Sequence, residues 1–138
     1  MPETVPRLSG EEIRNLGKLP ENGAFVRLLD MYLDLGITAW DLVFSVGRRW
    51  VRARELDRRT VLVQCWHNPE GELNYILRFL SERLGCSCGF WAKTCVKLAV
   101  MGMLLSRMEQ EETDLAVLSG DFSGVLAGMY LKQMGFPV

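Results

Sequence analysis

Little in this sequence is extreme, and the absences guide the first steps. Its 138 residues carry 16 Lys+Arg against 17 Asp+Glu, a formal net charge of −1. Such a balance gives no general attraction for nucleic acid or an anionic membrane surface, so any binding of that kind has to be local. No apolar run approaches the roughly 20 residues that span a bilayer. The longest, LAVMGMLL, has the length of a core helix segment, and no membrane partner is expected. The amino terminus, MPETVPRLSGEE, has neither a basic region nor an apolar stretch and does not read as a secretory leader. Four cysteines without an export signal are expected to be reduced thiols, which points to the cytoplasm. There is one histidine, no internal repeat and no low-complexity segment. With 49% hydrophobic and 24% charged residues the composition is that of a globular chain rather than a disordered or fibrous one. One domain is expected, burying about two-thirds of the surface its unfolded form exposes.

Local signals then divide the chain. Ser9 and Glu12 have the spacing of a capping box, starting a short helix that Gly17 and Pro20 end. Asn22 is placed to cap a second helix, FVRLLDMYLDL, stopping at Gly36. Thr38 and Asp41 open a third, AWDLVFSVGRRWVRAREL, whose Trp40, Val43, Phe44 and Val46 recur at helical spacing. TVLVQCW is short and β-branched and reads as a buried strand. Asn68 and Pro69 begin a helix carrying Leu73, Ile76, Leu77 and Leu80, ended by Gly85. The connector CSCGF leads to a strongly apolar helix from about Ala92 to Met108. An acidic run, EQEETD, separates that helix from a closing strand, LAVLS, and a last helix.

This order predicts an α/β fold, helix-rich, with a small and mainly parallel sheet. Residues 1–57 form a helical part, and 58–138 a strand, helix, helix, strand, helix part. Two or three short strands make a poor sheet on their own. A fragment or shortened relative of a larger domain is therefore expected, with self-association or the remainder of a larger enzyme as partner.

Two clusters bear on chemistry without completing a site. RRWVRARELDRR carries six arginines, and with the capped helix at Thr38 and Gly47 at the turn it has the outline of a helix-turn-helix. On that reading an Arg-rich helix over 48–59 would set Arg48, Arg49, Arg52 and Arg54 against phosphates and guanine edges, with Trp50 packed inward. The plainer reading is a solvated helix face. Cys65 with His67, and Cys86 with Cys88, supply four zinc-ligand types, but one intervening residue is tighter than the usual two to four of structural zinc knuckles. No metal site and no catalytic cysteine is assigned.

The closing segment, SGDFSGVLAGMYLKQMGFPV, resembles the stretch S-G-N-F-G-x-x-x-A-G-x-x-A-K-x-x-G-L-P-V of threonine synthases, in the tryptophan-synthase-β-like group of pyridoxal-phosphate enzymes. Ser119, Gly120, Phe122, Ala127, Gly128, Lys132, Gly135, Pro137 and Val138 fall on matching positions. The resemblance implies that Gly120, Asp121, Phe122, Ser123 and Gly124 wrap the phosphate of pyridoxal phosphate, with an amino acid as substrate. Amides at the start of a helix, together with its dipole, suit a dianion. Asp121 stands where the family has Asn, and Ser123 where it has Gly. The lysine that carries the cofactor in that family, in a motif resembling A-F-K-D, has no counterpart among Lys18, Lys93, Lys97 and Lys132, and the upstream S-G-D-T-G pattern is also missing. The chain alone is therefore expected not to be an active lyase, and no catalytic residue is named.

Overall fold

The computed structural model describes residues 4–39, 41, 52–64, 72–85, 89–108, 112–117 and 120–138. Five helices and one two-stranded ribbon are formed among them: α1 (Gly10–Lys18), α2 (Glu21–Leu33), β1 (Arg52–Glu55), β2 (Val61–Gln64), α3 (Glu72–Leu84), α4 (Phe90–Leu105) and α5 (Ser123–Met134).

The start of α1 follows its capping box. Ser9 Oγ accepts from Glu12 N at 3.2 Å, and Glu12 Oε2 accepts from Ser9 N at 2.7 Å. These bonds hold the Glu12 carboxyl below the usual carboxylate range, the Ser9 backbone N–H contributing most. Helix α2 begins one residue before the expected cap. Pro20 is its N-cap residue, while Asn22 lies within the first turn and is buried. Its end also comes before Gly36, at Asp34, which adopts the left-handed conformation. Thr38 N and Oγ1 both donate to Asp41 Oδ2, at 2.7 and 2.9 Å, as the expected helix opening requires. Residue 40 and residues 42–51 lie outside the described residues.

The third helix does not continue to residue 56. Arg52–Glu55 is strand β1, paired antiparallel with β2 in the register Arg52 with Gln64, Ala53 with Val63, Arg54 with Leu62 and Glu55 with Val61. A β-branched strand needs a hydrogen-bonded neighbour, and the segment just before it can supply one through a tight turn. Asp57 makes that turn: its Oδ1 accepts the Arg59 N–H at 2.8 Å, and Leu56 N donates to Thr60 O at 2.9 Å. The Asp57 carboxyl is correspondingly held low, chiefly by the Arg59 N–H. Over Arg52–Glu55 this local side-chain bond and the pairing with β2 override the helical pattern. The ribbon is also not buried as TVLVQCW implied, since Val61 is 42% and Leu62 52% exposed.

The mainly parallel sheet expected from the element order is not formed among the described residues; the sheet is the antiparallel ribbon alone. Residues 115–117 of LAVLS, expected as the closing strand, run with the preceding residues 112–114 without strand pairing among the described residues, and residues 118–119 lie outside those described. Their bond to the rest of the backbone is Thr113 N to Pro137 O at 2.9 Å.

Helix α4 is the centre of the protein, with α2 packed along one side and α5 along the other, and lighter contacts to α1 and α3. It is apolar over most of its circumference and keeps only a partly exposed stripe through Lys93, Lys97, Met101 and Leu104. Phe25, Leu28 and Leu29 of α2, Ile76 and Leu80 of α3, Val96, Leu98 and Met103 of α4, and Leu131 and Met134 of α5 are fully buried. Gly102 sets how closely the three central helices meet: a β-carbon there would lie 2.9 Å from Leu28 Cδ1 and 3.0 Å from Leu131 Cδ2. Gly17 does the same for α1, where a β-carbon would run into the backbone carbonyl oxygen of Ser106. Tyr32, Trp91 and Tyr130 join α2, α4 and α5 through edge-to-face ring contacts with centroids 5.4 to 6.0 Å apart. No helix among the described residues is long and apolar enough to cross a membrane.

Candidate phosphoryl-binding site

The resemblance placed a phosphate loop at residues 120–124, and α5 begins there. Phe122 is the N-cap residue, with φ 59° and ψ −5°, and its ring is 75% exposed. A left-handed Phe costs about 1–2 kcal/mol relative to a residue in an ordinary well, so the surrounding contacts must hold it. Ser123 is fully buried. Its N–H donates to Asp121 Oδ1 at 3.1 Å, and its Oγ donates to the same oxygen at 2.5 Å. One residue cap thus turns the chain into the helix and leaves the Asp121 carboxylate folded over the first amide.

A third side chain converges from α4. Lys97 Nζ lies 2.5 Å from Ser123 Oγ, to which it donates, and 3.4 Å from Asp121 Oδ1. Its side chain is 18% exposed and that of Asp121 43%. The Asp121 carboxyl is held far below the usual carboxylate range, first by the Ser123 hydroxyl, then by the Ser123 N–H, with the Lys97 charge adding to both. Asp121 is therefore ionised at neutral pH, and its repulsion of a phosphoryl group is not relieved by protonation. It is offset by the ammonium of Lys97 instead.

The donors left over decide whether a phosphoryl group fits. The first amides of a helix have no intrahelical acceptor, and after Ser123 N–H is given to Asp121, those of Gly124 and Val125 have no acceptor among the described residues. The first bond of the regular ladder is Leu126 N to Phe122 O at 3.0 Å. Nothing lies within 4 Å of the position a β-carbon would take on Gly120, so the approach beside that residue is open. Unpaired amides at a helix start, the helix dipole and a nearby ammonium are the kinds of group that a phosphoryl oxygen takes. Of the five residues assigned to the loop, Gly124 is buried with an amide that has no acceptor among the described residues and Gly120 has an open approach, while Ser123 and Asp121 are engaged with each other. Phe122 shapes the turn without facing inward. Ser119 lies outside the described residues.

Lys97 was not singled out from the sequence. Its signal is a cation midway along FWAKTCVKLAVMGMLL, a helix apolar enough to be mostly buried, where a charge requires a partner. The other clusters do not assemble. Cys65, His67, Cys86 and Cys88 lie outside the described residues, and no group of three or more metal-binding side chains forms among those described. Cys95 is a buried thiol pushed up to about 12 by burial, which leaves it protonated and unreactive. Arg48, Arg49 and Trp50 lie outside the described residues, and Arg52 and Arg54 are on a strand, so the recognition helix of a helix-turn-helix is not formed over residues 52–55.

Comparison of the chain with protein-family models, curated proteins and solved structures finds no match.

Proposed function

We propose that this chain is a threonine-synthase-like partial domain that receives the phosphoryl end of pyridoxal phosphate at the start of α5, and that it does not catalyse alone. The observation that carries the reading is the convergence of Lys97 from α4 on the turn where the sequence resembles a phosphate loop. The Gly124 and Val125 amides hold the phosphoryl oxygens, Lys97 supplies the countercharge, and Ser123, tied to Asp121, fixes the direction of the first turn. Bound pyridoxal phosphate supplies an electron sink for carbanion chemistry on an amino acid. This chain's own share is to bind and orient the group. A lysine to anchor it would come from outside these residues, since none of the four here has the matching context. The compartment is the cytoplasm, in keeping with Cys95 as a free thiol in the core.

Calorimetric titration with pyridoxine 5′-phosphate and with pyridoxine tests the reading, because neither compound has an aldehyde that reacts with surface lysines. The phosphorylated compound is expected to bind and pyridoxine not to. Lys97→Met is expected to weaken binding by about tenfold or more, the worth of a charge-assisted bond. Phosphorylated homoserine is expected not to turn over. Equal binding of the two compounds, or binding indifferent to Lys97→Met, rejects the site.

A further inference from the structure

We infer that this chain pairs with a second copy of itself, the β1–β2 ribbon of each protomer entering the groove between α5 and residues 112–117 of the other. The inference needs neither Lys97 nor the turn at Asp121, though its groove shares Gly124 and Val125 with the proposed phosphoryl site, so its test reads association and not ligand binding.

The ribbon is an unusual element for a protein of this size. Every residue from Arg54 to Leu62 is exposed, and neither strand lies along a described helix. Leu56, Val61 and Leu62 are 56%, 42% and 52% exposed. A two-stranded ribbon is marginal in water without an apolar surface to cover it. Arg54, Arg58 and Arg59 give it a basic character, with Glu55 and Asp57 between them.

The groove has the complementary features. A cavity of about 300 Å³ lies beside α5, lined by Leu115, Val117, Val125 and Met129, with Asp114 and Lys132 among its polar walls. Val125 is 44% and Met129 57% exposed. Burial alternates along 112–117, with Thr113, Leu115 and Val117 turned toward the protein and Glu112, Asp114 and Ala116 exposed, which is the period of a strand covered on one face. Beyond the Thr113 N–H bond to Pro137, the backbone of this segment has no backbone partner among the described residues. Such an edge accepts an added strand.

Charge selects the occupant. Asp114 in the groove wall and Glu112 on the exposed face beside it carry the charge opposite to that of Arg54, Arg58 and Arg59, and Lys132 across the groove carries the charge opposite to that of Glu55. Each protomer has one ribbon and one groove, so a two-fold axis uses both twice and closes without leaving an open end. Doubling the contact also brings two small patches toward the total of about 1,200–2,000 Å² that a stable pair needs.

Sedimentation velocity of the full chain over a range of concentration and salt tests the inference. A dimer that weakens as salt rises is expected. The triple change Arg54→Glu, Arg58→Glu, Arg59→Glu and the double change Glu112→Lys, Asp114→Lys should each weaken association by about tenfold or more, and an equimolar mixture of the two should restore a heterodimer. Leu62→Asp, which leaves those charges in place, should also dissociate the pair. A wild-type monomer at every concentration overturns the inference. So does a dimer unaffected by either charge change, a mixture that stays monomeric, or a monomer whose three arginines serve instead to bind duplex DNA.

Discussion

Asp121→Asn separates the charge of the turn from its geometry. An amide Oδ1 can still accept the Ser123 N–H that Asp121 takes at 3.1 Å, so the turn keeps its frame. What is lost is the ion pair with Lys97 at 3.4 Å, half exposed on the carboxylate side and worth about 0.2–1 kcal/mol of stability. What is gained is the removal of a carboxylate from beside a dianion. At a separation of about 5 Å and an effective dielectric near that of water, that repulsion is on the order of 1–2 kcal/mol. The variant should therefore melt slightly lower than wild type yet bind pyridoxine 5′-phosphate about 5- to 30-fold more tightly. Titration calorimetry reads the affinity and differential scanning calorimetry the stability. The pH dependence adds an independent sign. Since the folded-state pKa of Asp121 is depressed, its stabilisation is complete above about pH 4 and is lost as pH falls through the lowered folded value, whereas the Asn variant has no such loss. An unchanged affinity in Asp121→Asn would show that no phosphoryl group approaches this turn and would refute the electrostatic reasoning.

Other expectations concern the packing that holds the site. Gly17→Ala forces a β-carbon into the Ser106 carbonyl and should cost about 2–4 kcal/mol through overpacking and backbone shift, measured by urea denaturation. The Tyr32 hydroxyl is buried without a hydrogen-bond partner among the described residues, so Tyr32→Phe should raise stability by about 1 kcal/mol; a loss of stability would reveal a partner for that oxygen. Cys95, with its thiol pushed up to about 12, should resist a thiol reagent at pH 8 in the folded protein and react once unfolded.

The parts of the fold legible in the sequence were those whose cause is local. Ser9 and Glu12 cap α1 because both partners lie within one turn, and the apolar run after Ala92 is a helix because no other element buries so many consecutive side chains. The misreadings share a different cause. RRWVRAREL has helical spacing, but the strand partner of its Arg52–Glu55 lies beyond Asp57, and pairing across a turn is invisible to a window that counts periodicity. Asn22 is a strong cap by residue type, yet Pro20 at the boundary and the burial of the Asn22 side chain set the helix start earlier. The LAVLS strand was inferred from composition alone, and a strand forms only where another strand accepts its hydrogen bonds. At the site, the resemblance offers residues 120–124 as an expectation, whereas nothing local in the sequence points to Lys97, since its distance to Ser123 depends on how α4 crosses α5.

That crossing has a consequence for how the molecule comes into being. Helix α4 has water-avoiding side chains most of the way round, and its second wall, α5, is built from residues 123–134. During synthesis α4 leaves the ribosome before the residues that will cover it, so the nascent chain passes through an interval in which its most insoluble segment is half clothed. Capture by chaperones in that interval, and insolubility of a chain cut short ahead of Ser123, follow from the order in which the two walls are made.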